Sequence, residues 1–303
     1  MKIMNRFGPH AQGHMAMLAF SAIVACSFSL GARVGGIIDP LALTLPRVIL
    51  ACAMMWTLAR LTGQPVGRRH LQAGWRWLLL GGIYSAYFVM MFEALETATP
   101  ISTAAIFTLS PVMSAIIGWV LLRQVTRART LGAIAIGAAG ALWVIFRGDI
   151  DAMLRFQMGR GEVIYLVACA LHAALPATIM RTRRGEPPLV ASALMLGGAV
   201  ITLLPFAIGP ALSTDWTAMP AIVWITLAYV SVMATGVTTF LIGYASPRLN
   251  GPRIMAYTYL VPSWVIGWEL ILGGTAPPAI VLGGIALTIL ALLLLLRPDP
   301  VRA

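Results

Sequence analysis

Long apolar stretches separated by short polar connections dominate the chain. A membrane-spanning α-helix needs about 20 predominantly apolar residues. Ten stretches approach or exceed that length, and they predict helices at roughly 14–35, 39–62, 74–95, 99–122, 128–146, 160–181, 189–209, 218–245, 250–273 and 277–296. We therefore expect an all-α membrane protein with ten transmembrane helices.

The composition supports a membrane location, because only 10% of the 303 residues are charged and 59% are hydrophobic. A soluble domain carries roughly a quarter charged residues. The net charge of +11 comes from short basic clusters between the apolar stretches, a pattern typical of topology signals and not of a nucleic-acid site. The first apolar stretch follows Lys2 and Arg6, is long enough to span, and lacks a clear small-residue cleavage site, so it predicts a first transmembrane helix instead of a cleaved signal peptide.

Basic residues are distributed unevenly between the two sides of the predicted bundle. With the N-terminus inside, 16 basic residues lie on the inner side and four on the outer side. Arginine and lysine concentrate in cytoplasmic connections. The distribution therefore predicts a multi-pass protein of the bacterial inner membrane with both termini in the cytoplasm and an even number of helices.

The two halves of the chain align with each other at an offset of 151 residues. Pro111 then meets Pro262, and Leu131-Gly132 meets Leu282-Gly283. A five-helix unit has an odd number of crossings, so its second copy enters the membrane from the opposite side. We predict a first five-helix repeat at 1–146, a connecting loop at 147–159 and a second repeat at 160–303. Inverted repeats of this kind are typical of secondary transporters, with the substrate site between the halves.

Several motifs resemble those of the drug/metabolite transporter superfamily, specifically its EamA-type ten-helix carriers. They are the stretch from Pro40 to Arg47 in helix two, Phe92-Glu-Ala-Leu in helix three, Thr103 to Pro111 and Leu121-Leu122 in helix four, and Ala256 to Pro262 and Leu272-Gly273 in helix nine. The resemblance covers nearly the whole chain. It implies two inverted five-helix repeats around a central cavity lined by helices one, three, four, six, eight and nine.

Four places depart from the pattern of that family. The chain has Arg123-Gln124 and Gly273-Gly274 where the family usually has Gly-Glu, Val24-Ala25 in place of Trp-Gly, and His172-Ala173 in place of Trp-Ala. These departures indicate a subfamily with its own substrate preference. Among relatives, exporters of amino acids, including aromatic ones, resemble it most.

Ionisable groups inside the membrane are candidate site residues, because charge in lipid is costly and often functional. Arg47 lies about 12 Å into helix two at 1.5 Å per residue. It either binds a substrate carboxylate or holds helix ends and backbone carbonyls. His172 lies mid-way along helix six, where it is either a packed core residue or a cavity group that contacts substrate or relays a proton.

Aromatic side chains form a second candidate group. Tyr84 and Tyr87 share a face of helix three, and Tyr257 and Trp264 share a face of helix nine. Such residues form the interfacial belt when they lie near helix ends, whereas deeper rings can hold an apolar side chain and bond its polar end. The predicted substrate contacts are Tyr84, Tyr87, His172, Tyr257, Trp264 and Arg47.

Three prolines are candidate helix breaks or hinges, and two glutamates are candidate gate or coupling residues. Pro111 and Pro262 occupy matched positions that resemble the interrupted helices of carriers, and Pro176 predicts a kink in helix six. Glu93 and Glu269 lie near the outer ends of helices three and nine. They are either interfacial carboxylates in contact with water, or an outer gate or proton-coupling site.

The sequence lacks HExxH, GxSxG, paired helical aspartates and a phosphate-binding glycine loop. The cysteines, Cys26, Cys52 and Cys169, lie in apolar segments without a CxxC pair. We expect no enzyme activity, metal or cofactor; the partners are a small-molecule substrate and membrane lipids, and oligomeric state is open.

The predicted function is an alternating-access secondary transporter that exports amino acids or similar small metabolites. A proton-coupled multidrug efflux carrier and a lipid flippase of the same fold are the alternatives.

Overall fold

The computed structural model describes residues 8–123, 125–155, 157–245, 248–249 and 251–296. Within these ranges all regular secondary structure is helical, which confirms the predicted all-α class. Both termini and Gln124, one residue of the Arg123-Gln124 departure, lie outside the described residues.

Ten helices of the described residues follow the predicted apolar stretches. They are α1 (Pro9–Val34), α2 (Pro40–Leu61), α3 (Trp75–Leu95), α4 (Pro100–Leu122), α5 (Ala128–Ile145), α6 (Arg160–Thr182), α7 (Pro188–Ser213), α8 (221–245), α9 (251–271) and α10 (Val281–Leu296). By length and composition, nine of them can cross a membrane, and the described part of α10 is shorter. The chain is therefore a multi-pass membrane protein.

Three of these helices change type along their length. α4 is interrupted between Pro100–Phe107 and Ser110–Leu122, and α9 passes through a 3₁₀ turn at Tyr257–Leu260. Each interruption precedes a proline, which has no N–H to donate to the carbonyl four residues back. α8 contains a π-helical segment at Val232–Val237, which the sequence did not predict.

Glycines allow the closest helix contacts of the bundle. At Gly198 of α7, a Cβ atom would collide with the carbonyl oxygen of Trp77 in α3, and at Gly81 of α3 it would collide with the backbone of α7. The contact between α5 and α10 is similar, because a Cβ on Gly140 would lie 2.7 Å from the carbonyl oxygen of Gly284. Small residues let helix backbones approach closely in a membrane, where van der Waals packing drives association.

Many of the contacts between helices recur when five is added to each helix number, with α1 following α10; the contacts of α1 with α3 and α4 and of α2 with α3 are exceptions. α3 packs against α6 and α7, and α8 packs against α1 and α2; α4 packs against α5 and α6, and α9 packs against α10 and α1. The pairs α2–α7, α5–α10 and α4–α9 are also in contact. The two helices of each pair are five numbers apart, so the shift exchanges them and leaves the pair unchanged. Two copies of a five-helix unit would produce this pattern. The domain boundaries at residues 147 and 160 stay a prediction.

Replacement of Gly198 by alanine should loosen the contact between α3 and α7. The added Cβ meets backbone that cannot rotate away, and overpacking of this kind costs about 1–3 kcal/mol. We expect Gly198→Ala to lower the midpoint of thermal unfolding in detergent by several degrees. Gly197→Ala is the matched control, because the nearest atom to its Cβ would be Cys52 Sγ at 3.9 Å. Equal midpoints for the two variants would contradict the proposed packing.

Candidate functional site

Arg47 of α2 is buried in the bundle, with 1% of its surface exposed. Its Nη2 donates to Thr235 Oγ1 at 3.3 Å, and its Cζ lies 3.5 Å from the ring centroid of Phe88. Nε and Nη1 have no hydrogen-bond partner, and no carboxylate of the described residues pairs with the guanidinium. A buried charge with unpaired donors costs free energy, so an anion is the group that would complete this arrangement.

Thr235 lies in the π-helical segment of α8. Its hydroxyl donates to the carbonyl of Val230, five residues earlier, at 2.9 Å, which leaves the oxygen to accept from Arg47. Next to it, a Cβ on Gly236 would collide with the side chain of Met54 in α2. The glycine therefore leaves room for the end of the Met54 side chain beside Thr235. π-helical segments occur frequently at functional sites.

Phe88 connects Arg47 to a chain of aromatic rings that extends from α3 to α6. Its ring centroid lies 4.8 Å from that of Tyr84 and 4.6 Å from that of Tyr87. The Tyr87 ring lies 4.7 Å from the ring of His172. Four of the predicted contact residues, Arg47, Tyr84, Tyr87 and His172, thus lie in one connected group, which we call the Arg47 cluster together with Phe88 and Thr235.

His172 is held in this cluster by ring contacts. Its centroid lies 5.2 Å from that of Phe107 in α4, in addition to the Tyr87 contact. The ring is half-buried, and its nitrogens make no hydrogen bond with the described residues. Within the described part of the chain, these nitrogens therefore keep their hydrogen-bonding capacity for a ligand.

Tyr257 and Trp264 lie on a different surface, the contact between α9 and α1. The Tyr257 hydroxyl is hydrogen-bonded to His14 Nδ1 at 2.7 Å, and Trp264 Nε1 donates to Ser21 Oγ at 3.1 Å. His14 lies about 21 Å along α1 from Phe28, at 1.5 Å per residue. Phe28 contacts the rings of Phe107 and Tyr165, at 5.9 and 5.8 Å, beside the Arg47 cluster. The structure therefore does not bring these two predicted residues together with the other four.

The two predicted gate acids are paired with arginines at one end of the bundle. Glu93 Oε1 accepts from Arg160 Nη2 at 3.2 Å, which links α3 to α6. Glu269 Oε1 accepts from Arg33 Nη1 at 2.9 Å, which links α9 to α1. The contacts lie at helix ends, as the sequence indicated, and away from the Arg47 cluster.

The predicted helix-breaking prolines differ in their surroundings. Pro111 is the second residue of Ser110–Leu122, and Pro262 is the second residue of Val261–Ile271, each directly after an interruption of its helix. Pro176 lies inside α6, which continues as α-helix on both sides of it.

Two arginines make matched contacts at the two ends of the bundle. Arg33, the penultimate residue of α1, donates from Nη2 to the Leu272 carbonyl at 3.2 Å, at the end of α9. Arg181, the penultimate residue of α6, donates from Nη1 to the Leu121 carbonyl at 2.8 Å, near the end of α4. The arginines are 148 residues apart and the carbonyls 151 residues apart. We call these contacts the Arg33 clamp and the Arg181 clamp.

The two clamps lie at opposite ends, because α3 crosses the bundle between them. Its first turn contacts the end of α6, where Arg76 donates to the Thr182 carbonyl at 2.8 Å. Its last turn packs against Gly31 in the last turns of α1. The Arg33 clamp contains the ion pair with Glu269, whereas Gly118 occupies the position equivalent to Glu269 at the other end. Both clamps are closed in this structure.

Side chains that can ligate a metal ion are dispersed over the described part of the chain. It contains no group of three or more His, Cys, Asp or Glu side chains that could hold a metal ion. Cys26, Cys52 and Cys169 are free thiols.

Residues 11–146 match a family described as the EamA-like transporter family. The match covers the first of the two predicted repeats and somewhat less than half of the chain. A curated relative, the "Uncharacterized transporter YyaM" of Bacillus subtilis (strain 168), is 24% identical over 228 residues, which is 73% of each chain. A solved structure titled "Crystal structure of protein" has a TM-score of 0.66 and 18% identity, covering 92% of this chain and 95% of that chain. At this identity the likeness shows the fold alone.

The family match and the transporter-named relative together confirm the resemblance to the drug/metabolite transporter superfamily. These findings support a membrane transporter of small molecules and point away from an enzyme. The EamA match contains Arg47, Tyr84 and Tyr87, whereas His172 and Thr235 lie beyond its end.

The sequence did not single out Phe88, Thr235 or the two clamp arginines as functional residues. Phe88 follows Tyr84 by four residues, and this spacing places both on one helix face. Arg33 and Arg181 are separated by nearly the repeat offset, and that correspondence was a usable signal. Thr235 had no such signal, because one hydroxyl in an apolar helix usually bonds its own backbone.

Each clamp should protect its own end of the helical bundle. We expect Arg33→Gln to accelerate hydrogen exchange in residues 261–272, and Arg181→Gln to accelerate it in residues 110–122, as measured by mass spectrometry in detergent. Each variant is the control for the other. The Arg33 effect should be larger, because that clamp also contains an ion pair. Equal changes at both ends in either variant, or no change in both, would show that the contacts do not act as separate clamps.

Proposed function

We propose that this EamA-type protein is an alternating-access secondary transporter that exports amino acids or similar small metabolites with a free carboxylate. The observation that carries the proposal is the buried guanidinium of Arg47. Its Nε and Nη1 are unpaired donors inside a membrane-spanning bundle, and hydrogen bonds from a charged donor to a carboxylate are among the strong ones in proteins.

The rings beside Arg47 suit the remaining parts of an amino acid. Tyr84, Phe88 and Tyr87 present aromatic surface next to the guanidinium. Such surface binds apolar side chains and also attracts an ammonium group through the π-system. His172 offers ring nitrogens without a hydrogen-bond partner among the described residues, at the far side of Tyr87. A cationic drug is disfavoured, because the uncompensated charge of Arg47 repels it.

Alternating access is supported by the paired construction of the bundle. We propose that residues 1–146 and 160–303 are inverted repeats that move against each other. Release of the Arg33 clamp would open one end while the Arg181 clamp keeps the other closed, and the reverse step would complete the cycle. The interruptions before Pro111 and Pro262 allow α4 and α9 to bend without losing regular hydrogen bonds elsewhere.

The proposed setting is the bacterial inner membrane, with both termini in the cytoplasm. The Arg181 clamp then faces the cytoplasm and the Arg33 clamp faces outward. Glu93 and Glu269 are proposed as parts of the outer gate and not as proton relays, because each is engaged with an arginine at a helix end.

The test is counterflow in liposomes. Purified protein is reconstituted, preloaded with a panel of unlabelled amino acids, and uptake of labelled amino acid is followed with and without a pH gradient. We expect saturable exchange by the wild type. Arg47→Gln should reduce it by about tenfold or more, because a hydrogen bond to a charged group contributes about 1.5–3 kcal/mol.

Two variants control this test. Arg60→Gln removes an arginine from the exposed end of the same helix and should retain exchange. Arg47→Lys keeps the charge and should retain a measurable part of it. Undiminished exchange by folded Arg47→Gln would refute the role of Arg47. Absence of exchange with every amino acid would refute the substrate class, and exchange driven by the pH gradient would place Glu93, Glu269 and His172 among the coupling residues.

A further inference from the structure

A cavity of about 430 Å³ lies at the end of the bundle that holds the Arg181 clamp. It is formed where the first turn of α3 meets the last turns of α4 and α6. Its lining includes Trp75, Leu79, Arg76, Arg181, Arg183 and Arg184. None of these residues belongs to the Arg47 cluster, so the cavity is a second site.

The wall of this cavity carries excess positive charge. Arg76 Nη2 donates to Glu186 Oε1 at 2.6 Å, and the side chains of this pair are only 2% and 6% exposed. Burial alone would raise the pKa of Glu186, but hydrogen bonds from Arg76 and from the Arg184 backbone lower it to about 2. The carboxylate is therefore ionised at neutral pH and offsets one arginine. The guanidinium groups of Arg181, Arg183 and Arg184 have no carboxylate partner among the described residues.

The rim of the cavity is apolar and faces outward. Trp75 and Leu79 lie one turn apart on α3, and they are 58% and 43% exposed. Exposed apolar side chains on a membrane-spanning helix face lipid, and tryptophan concentrates at the level of the lipid headgroups. The cavity thus combines a cationic wall with a border open to the bilayer.

We propose that this cavity binds the phosphate of an anionic phospholipid, with the acyl chains lying against Trp75 and Leu79. Guanidinium groups bind phosphate oxygens with matching geometry. Basic pockets between transmembrane helices on the cytoplasmic side are suited to anionic headgroups. A free phosphate ion would use the arginines and leave the apolar rim without a partner, which favours a lipid. The site depends on the membrane-spanning fold and is independent of the transported substrate.

The first test measures lipid retention by native mass spectrometry of the full chain in detergent. Phosphatidylglycerol and phosphatidylcholine with identical acyl chains are added in equal amounts. The wild type should retain phosphatidylglycerol over phosphatidylcholine by about tenfold or more. The triple variant Arg181→Gln, Arg183→Gln, Arg184→Gln should lose this preference.

The matched control removes the same charge from the same end. Arg60, Arg68 and Arg69 are exposed and lie outside the cavity, and their triple replacement by glutamine should keep the preference. Equal retention of both lipids by the wild type, or equal losses in the two triple variants, would overturn the proposal.

A second variant separates lipid from free phosphate and does not remove any arginine. Leu79→Gln, on the exposed rim, should weaken phosphatidylglycerol retention several-fold while all cavity charges remain. Inorganic phosphate should fail to displace the bound lipid at concentrations comparable to the lipid. Displacement by inorganic phosphate together with normal retention by Leu79→Gln would overturn the lipid assignment in favour of a free-anion site.

Discussion

A guanidinium enclosed in a lipid-facing helical bundle constrains everything around it. Arg47 cannot be hydrated by bulk water, so its charge has to be stabilised by neighbouring groups. Phe88 contributes its ring face and Thr235 its hydroxyl oxygen. These two contacts leave Nε and Nη1 unpaired. The π-helical turn of α8 and the aromatic chain of α3 and α6 surround this charge. A bound anion would neutralise it and accept hydrogen bonds from the two unpaired donors.

The proposed transport cycle needs controlled access to the Arg47 cluster from each side, and the ends of the bundle offer contacts that could provide it. The Arg33 and Arg181 clamps join the ends of equivalent helix pairs, α1 with α9 and α6 with α4. Each clamp contains a hydrogen bond from an arginine to a backbone carbonyl, but of the two only the Arg33 clamp also contains a carboxylate, that of Glu269. The interfaces between equivalent helices, such as the glycine contact of α5 with α10, lie between the two predicted repeats. Movement of one repeat against the other would therefore change the clamps unequally and give the two ends different stabilities.

Much of the fold follows from the sequence. Membrane-spanning helices are recognisable by the length of their apolar stretches, and their ends are recognisable by the charged residues that flank these stretches. Interruptions of α4 and α9 were also predictable, since Pro111 and Pro262 remove backbone donors. The π-helical segment of α8 was not, because no residue type encodes it. At the candidate site, helix faces could be read from spacing, but not how neighbouring helices rotate relative to one another. Tyr84, Tyr87 and His172 are therefore connected to Arg47 through the Phe88 ring, while Tyr257 and Trp264 face α1 instead.

The most direct test of the account compares ligands that differ only in the carboxylate. Binding of an aromatic amino acid and of its decarboxylated amine to the purified protein would be measured by calorimetry, for the wild type and for Arg47→Gln. The account predicts that the wild type prefers the amino acid by about tenfold or more, and that this preference disappears in the variant while the amine binds at least as well as before. A preference of the same size in both proteins would contradict the assignment of Arg47 as the carboxylate site.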